Sequence, residues 1–284
     1  MEGKVDLVDW ASKHLDPVLV SGKLPSLVGP LQDVLWKSVG HHLQESKYGS
    51  LALMVNGFAW SIPASFATLT SSNMKTWVHN KHRESAPLVF DFDGLRWAHP
   101  FVVELIHSFW YGLEVKITEP HSLKHPQIVP DNASELSAPI TTLMAIIFLY
   151  DATTYLGDSL LEATALSALH DRLFHGTFTD PEIIEAVEEV YRREKKRAGT
   201  ETLQRAFLTA AVIHFERFAV SAHGDESADL HCMPHFGYKY HRGLGWYVGH
   251  YAGRKDDSGA TTITPQASAE EGVTARGDDM NMED

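Results

Sequence analysis

Cysteine is almost absent from this chain: Cys232 is the only one in 284 residues. An intramolecular disulfide is therefore excluded, and a lone thiol fits a reducing compartment. Cations are also scarce, with 24 Lys and Arg against 37 Asp and Glu and a formal charge of −13. That balance argues against general nucleic-acid binding, which needs clustered Lys and Arg to neutralise phosphates. No zinc-finger or helix-turn-helix DNA module is visible either. Long hydrophobic runs are missing. The longest mainly apolar stretch, Ile140–Tyr150, is too short to cross a bilayer, which takes about 20 residues. The N-terminus has no cationic stretch followed by an apolar one, so no signal peptide is expected. There is no collagen-like or repeat signature. "GLGWYVGHYAG" lacks the Lys-Ser/Thr of a P-loop and follows no clear strand. The expectation is a soluble, intracellular protein of the cytoplasm, the nucleus or both, with no membrane and no nucleic-acid partner.

What is present is enough apolar material, 44% of the residues, to bury a sizeable core. The most informative stretch runs from 49 to 112. Leu51–Val55 is an apolar run ending at Asn56-Gly57, the strongest short hairpin signal, because a type I′ turn needs φ > 0 at both central residues. Phe58, Trp60 and Ile62 then alternate with Ala59 and Ser61, which predicts a strand with one large apolar face. Pro63 is expected to stop it. "SFATLTSSNMKTWV" reads as a helix, a Ser71-Ser72 cap and a second helix. Leu88–Phe92 reads as a third strand closed by Asp93-Gly94, and Pro100 opens the helix "PFVVELIHSFWYG".

The rest follows from caps and breakers. Residues 1–46 are expected to be a helical extension broken by Pro17, Pro25 and Pro30, with "LQDVLWKSVGHHL" its main helix. The span 115–139 has four prolines and many polar residues and predicts a long surface loop, mobile or open to partners. Leu143, Ile146, Ile147 and Tyr150 recur at i, i+3, i+4 and i+7, the stripe of a buried helix. Gly157-Asp158 breaks it, and another helix begins at Leu160 and runs to Phe174. Asp180-Pro181 predicts a cap and first turn. Early acids and late bases on that helix suit its dipole. Gly199 is expected to end it, and Thr200 to cap a helix over Leu203–Val220. Residues 176–225 thus form a C-terminal helical pair, followed over 226–284 by a Gly/His/aromatic segment and an acidic tail. That tail, from about Asp256, is expected to be disordered.

Residues 47–175 resemble a divergent BTB/POZ domain of the fungal type. "IPASFATLTSSNM" stands where that family has an apolar residue, His, Lys, Ala and a Ser-Pro-Phe-Phe helix start. Glu84-Ser85 precedes the third strand, and "HPFVVELIHSFWYG" is similar to the family's acidic-Pro start and Tyr-x-Gly ending. Ala152-x-x-Tyr155 followed by Leu160 is similar to its Ala-x-Lys-Tyr helix. Pro63, Asn73, Met74 and Thr164 depart from the pattern. The resemblance implies an α+β fold: a small β-sheet flanked by α-helices, here with additional N- and C-terminal helices. It also implies a non-enzymatic protein–protein interaction module without cofactor or small-molecule substrate. Such a module associates with protein partners or with itself, and serves as an adaptor, for instance for a cullin-type ubiquitin ligase.

Two sets of residues are candidates for function. Adjacent Phe109, Trp110 and Tyr111 cannot all face inward on one helix at about 100° per residue. Trp110, and with it Tyr111, is therefore the candidate interaction site, with Trp110 expected to be covered by the N-terminal segment, the C-terminal helices or a second subunit. The alternative is a metal-binding protein or enzyme built on the His/Cys-rich 223–250 segment, where His231, Cys232, His235 and His241 stand close together. A zinc site needs such ligands, yet a packed aromatic segment accounts for the same residues. Arg192–Arg197 has the composition of a nuclear-import signal and equally that of a solvated helix end. The Asn132-Ala133-Ser134 sequon and Arg276-Gly277-Asp278 are expected to be silent.

Overall fold

Asn56 and Gly57 both take positive φ, 49° and 78°, so the chain reverses as a two-residue turn joins β1 (Ser50–Val55) to β2 (Phe58–Pro63). The computed structural model describes residues 13–16, 49–84, 87–112, 115, 117, 123–192 and 199–213. Pro63 is the last residue of β2 and the N-cap of α1 (Ala64–Thr70). Ser71 separates α1 from α2 (Ser72–Arg83), and its side chain accepts from the Met74 N–H, as the paired serines predict. The third strand, β3 (Val89–Asp91), lies parallel to β1, giving the sheet order β2-β1-β3. Hydrogen bonds extend this pairing at both ends: Ala52 N–H donates to the Leu88 carbonyl and Phe92 N–H to that of Met54, each at 2.8 Å.

The sheet has one core face. Leu51, Leu53 and Val55 stand opposite Ile62, Trp60 and Phe58, and all six side chains are buried. Against this face lies α3 (Pro100–Trp110), every residue of which is buried. His99 caps it: its Nδ1 accepts from the Phe101 N–H, and its Nε2 donates to the Ala138 carbonyl. Helix α5 (Thr142–Leu156) packs on α3 and α2, and Leu143, Ile146, Ile147 and Tyr150 are buried along its predicted stripe. Gly157 ends α5 in the left-handed conformation, and Asp158 caps α6 (Ser159–Phe174). The fold is α+β: a three-stranded sheet and, among the described residues, eight helices.

Several expectations are corrected. The cap of α7 (Asp180–Tyr191) is Thr179, whose hydroxyl accepts from the Glu182 N–H, so Asp180 is already helical. Gly199 precedes α8 (Thr200–Ile213) and its carbonyl accepts from Leu203 N–H, so Thr200 opens that helix rather than capping it. The described part of the 115–139 span is docked on the sheet. Gln127 N–H donates to the Ala59 carbonyl (2.7 Å), Ala59 N–H donates to that of Ile128 (3.1 Å), and a short helix α4 (Ala133–Leu136) follows. Finally, Ile183, Val187 and Val190 of α7 and Leu203, Phe207 and Val212 of α8 belong to the same buried cluster as the sheet. The core does not stop at residue 175. The expected helix over 31–43, residues 214–220 of the last one and the acidic tail lie outside the described residues.

Candidate interaction surface

Strand β3 is short and at the margin of the sheet, and it brings aromatic side chains to the surface. Phe90 pairs with Leu53, so its ring lies on the core face, but β3 is too far out for that face to be fully covered. Trp77, from α2, meets Phe90 edge-on at a ring separation of 4.9 Å. Phe92 and Trp97 are buried behind it, with Phe90–Phe92 at 4.9 Å and Phe92–Trp97 at 5.3 Å. Tyr155, from the last turn of α5, closes the ring of contacts onto Trp97 (5.7 Å) and Phe90 (6.4 Å). The inner two rings are buried, Trp77 and Phe90 are half-buried, and Tyr155 is 46% exposed. Val89 on the same strand is 42% exposed. Among the described residues β3 pairs only with β1, and no strand lies on its other edge, where the Val89 N–H donates to the Pro87 carbonyl. Large aromatic area combined with an unpaired edge is the kind of surface another polypeptide covers.

The two edges of the sheet are treated differently. On β2, Ala59 is paired with the 127–128 segment, the Ser61 carbonyl accepts from His107 Nε2 (3.3 Å), and Pro63 has no N–H. That edge is closed.

Trp110 is not at the surface. It is 2% exposed, and its indole N–H donates to Asp158 at 2.9 Å. Helix α3 is covered on all sides, so the residue of the 109–111 triplet turned outward is Tyr111, which has already left the helix as its C-cap. Tyr111 is half-buried, edge-on to Phe66 at 5.6 Å and 4.9 Å from the His107 ring. Neither residue belongs to the shelf at β3. His231, Cys232, His235 and His241 lie outside the described residues, as does the basic run beyond Arg192.

A buried polar cluster on α3 escaped the sequence reading. Glu104, 4% exposed, accepts from Trp60 Nε1 (2.6 Å) and from the His125 N–H (3.3 Å), and it bonds the His125 ring. His107 stands one turn on, its ring 5.9 Å from that of His125. Burial lowers the His107 pKa. The Ser61 carbonyl and Glu104 oppose that shift, and His125 adds to it. Burial likewise lowers His99, against the Ala138 carbonyl bond. Glu104 thus joins β2, α3 and the 123–131 segment. The signal for it was a lone acid inside an apolar helix. Among the described residues no group of His, Cys, Asp and Glu is arranged to hold a metal ion, and no helix is long and apolar enough to cross a membrane.

No family model, no curated protein and no solved structure matches the chain.

Proposed function

We propose that this chain is a non-enzymatic protein-interaction module and that it docks another polypeptide on the shelf formed by Trp77, Phe90 and Tyr155. The observation that carries the reading is the gradient of cover across one aromatic cluster, from buried Trp97 and Phe92 out to exposed Tyr155. Aromatic side chains of this kind anchor interfaces because they bury much area for little lost rotamer freedom. Among the described residues no strand lies on the outer edge of β3, where the Val89 N–H already donates to the Pro87 carbonyl, and an extended segment would pair with the groups that remain. The order hairpin, two helices, strand, helix, then a further pair of helices supports a BTB/POZ-like assignment. Under that assignment the chain acts as an adaptor, joining a second copy of itself or a different protein such as a cullin.

The test compares the parent with a Trp77→Ser/Tyr155→Ser double variant. The expectation is an unchanged helix signal together with loss of self-association in light scattering, or loss of specific proteins recovered by affinity capture. A monomeric parent that recovers the same proteins as the variant would overturn the reading. So would stoichiometric zinc that disappears, along with the fold, in Cys232→Ser.

A further inference from the structure

Leu15 and Asp16 are seated among residues remote from them in sequence. Leu15 is 3% exposed and belongs to the main core, and Asp16 is 8% exposed. Asp16 is fixed at two atoms. Its backbone N–H donates to Thr209 Oγ1 on α8 at 2.6 Å, and its carboxylate accepts from His170 Nε2 on α6 at 3.0 Å. The Thr209 hydroxyl donates to the Arg205 carbonyl at 2.7 Å, which leaves its oxygen free to accept from Asp16. His170 is 6% exposed and Thr209 is fully buried, so the seam between α6 and α8 presents two buried polar groups to the segment. An aliphatic residue followed by a carboxylate meets three demands together: apolar burial, a backbone donor and an acceptor for a buried imidazole.

We propose that the α6–α8 seam is a binding site for a short Leu-Asp segment, and that the N-terminal segment of a second copy of this chain can occupy it in place of the chain's own. Residues 17–48 separate the anchor from Gly49. At ~3.3 Å per residue a chain of that length spans about 100 Å when extended. A compact body of 247 residues, the length of the first unit, has a radius of gyration of about 18 Å. The contour length of residues 17–48 is therefore sufficient to reach the seam of either copy. Exchange between copies keeps both hydrogen bonds and the Leu15 burial, so the choice between them is set by effective concentration rather than by lost contacts.

The full-length Leu15→Ser/Asp16→Ala variant disables the chain's own segment. A fluorescent peptide of residues 9–20 is then titrated against it and against the parent, with anisotropy as the readout. Saturable binding to the variant is expected, at least tenfold tighter than to the parent, where the resident segment competes. The same peptide carrying Ser and Ala at the Leu and Asp positions should not bind. A folded variant that binds neither peptide overturns the site. Should the variant fail to fold, Asp16→Cys and His170→Cys are placed on separate copies that also carry Cys232→Ser, then mixed and joined with a short thiol-reactive cross-linker that spans the length of the Asp16–His170 contact. A cross-linked dimer supports exchange, and monomers alone overturn it.

Discussion

The indole of Trp110 and the carboxylate of Asp158 meet at 2.9 Å with both residues buried, 48 positions apart in the chain. The same carboxylate accepts from Thr70 Oγ1 (2.5 Å) and from the Leu161 N–H (3.0 Å). One side chain therefore holds the end of α1, the end of α3 and the start of α6. Around it, the Ser71 hydroxyl donates to the Leu156 carbonyl, and Asn73 donates to that of Tyr155.

Asp158→Ala removes a helix cap and leaves buried donors unpaired, so a loss of about 2–4 kcal/mol is expected. Trp110→Phe leaves Asp158 its other two partners and should cost less, about 1–3 kcal/mol. Urea denaturation of the two variants gives the order. Equal losses would show that the indole bond, not the cap, dominates.

Trp60 and Ile106 are fully buried, one on the sheet and one on the helix packed against it. Truncating either to Ala should cost about 2–5 kcal/mol. Trp60→Ala should be the worse of the two, because it also takes the indole donor from Glu104. Melting temperatures close to the parent's would refute this core.

His99 and His107 have pKa values lowered in the folded state, chiefly by burial. Each favours folding while neutral, so its contribution is complete above the unfolded value near 6.5 and is lost as pH falls through the lower folded value. Protonating His99 would also deprive the Phe101 N–H of its acceptor. Urea midpoints taken from pH 7.5 down to pH 5 should fall, and His107→Gln should flatten the slope. A midpoint that rises on acidification contradicts the assignment.

Gly157→Ala should destabilise the chain by more than about 1 kcal/mol. The residue sits at φ +62°, and a Cβ there would strike the Ser72 hydroxyl. Thermal melts of Gly157→Ala and Gly94→Ala make the comparison. Gly94 also has positive φ but open space around it, so it should suffer only the backbone strain.

Much of the fold is legible in the residues, because local chemistry decides it. Asn56-Gly57 forces the hairpin, the alternation from Phe58 to Ile62 sets its buried face, and Ser71, Gly157 and Asp158 mark helix ends. The misreadings come from tertiary cover. Helical periodicity places one of Phe109, Trp110 and Tyr111 outside, but it cannot reveal that Asp158, 48 residues on, accepts the indole N–H in a buried junction. The proline-rich 115–139 span reads as a surface loop, mobile or open to partners, because three backbone bonds to Ala59 leave no trace in composition. The aromatic shelf is invisible for the same reason: Trp77, Phe90 and Tyr155 come from three elements, and only folding brings them together.

The Asp158 junction also has a temporal side. Thr70 and Asp158 are 88 residues apart, and a ribosome adding ~5–20 residues per second needs about 4–18 s to travel between them. The β1–β2 hairpin can close within microseconds of its emergence. Until α3 has been made the apolar face of the sheet is open to water, and from then until Asp158 is added α3 itself lacks the junction that holds its end. Chaperone engagement on the nascent chain should therefore peak before residue 158 leaves the exit tunnel and subside once α6 has been made.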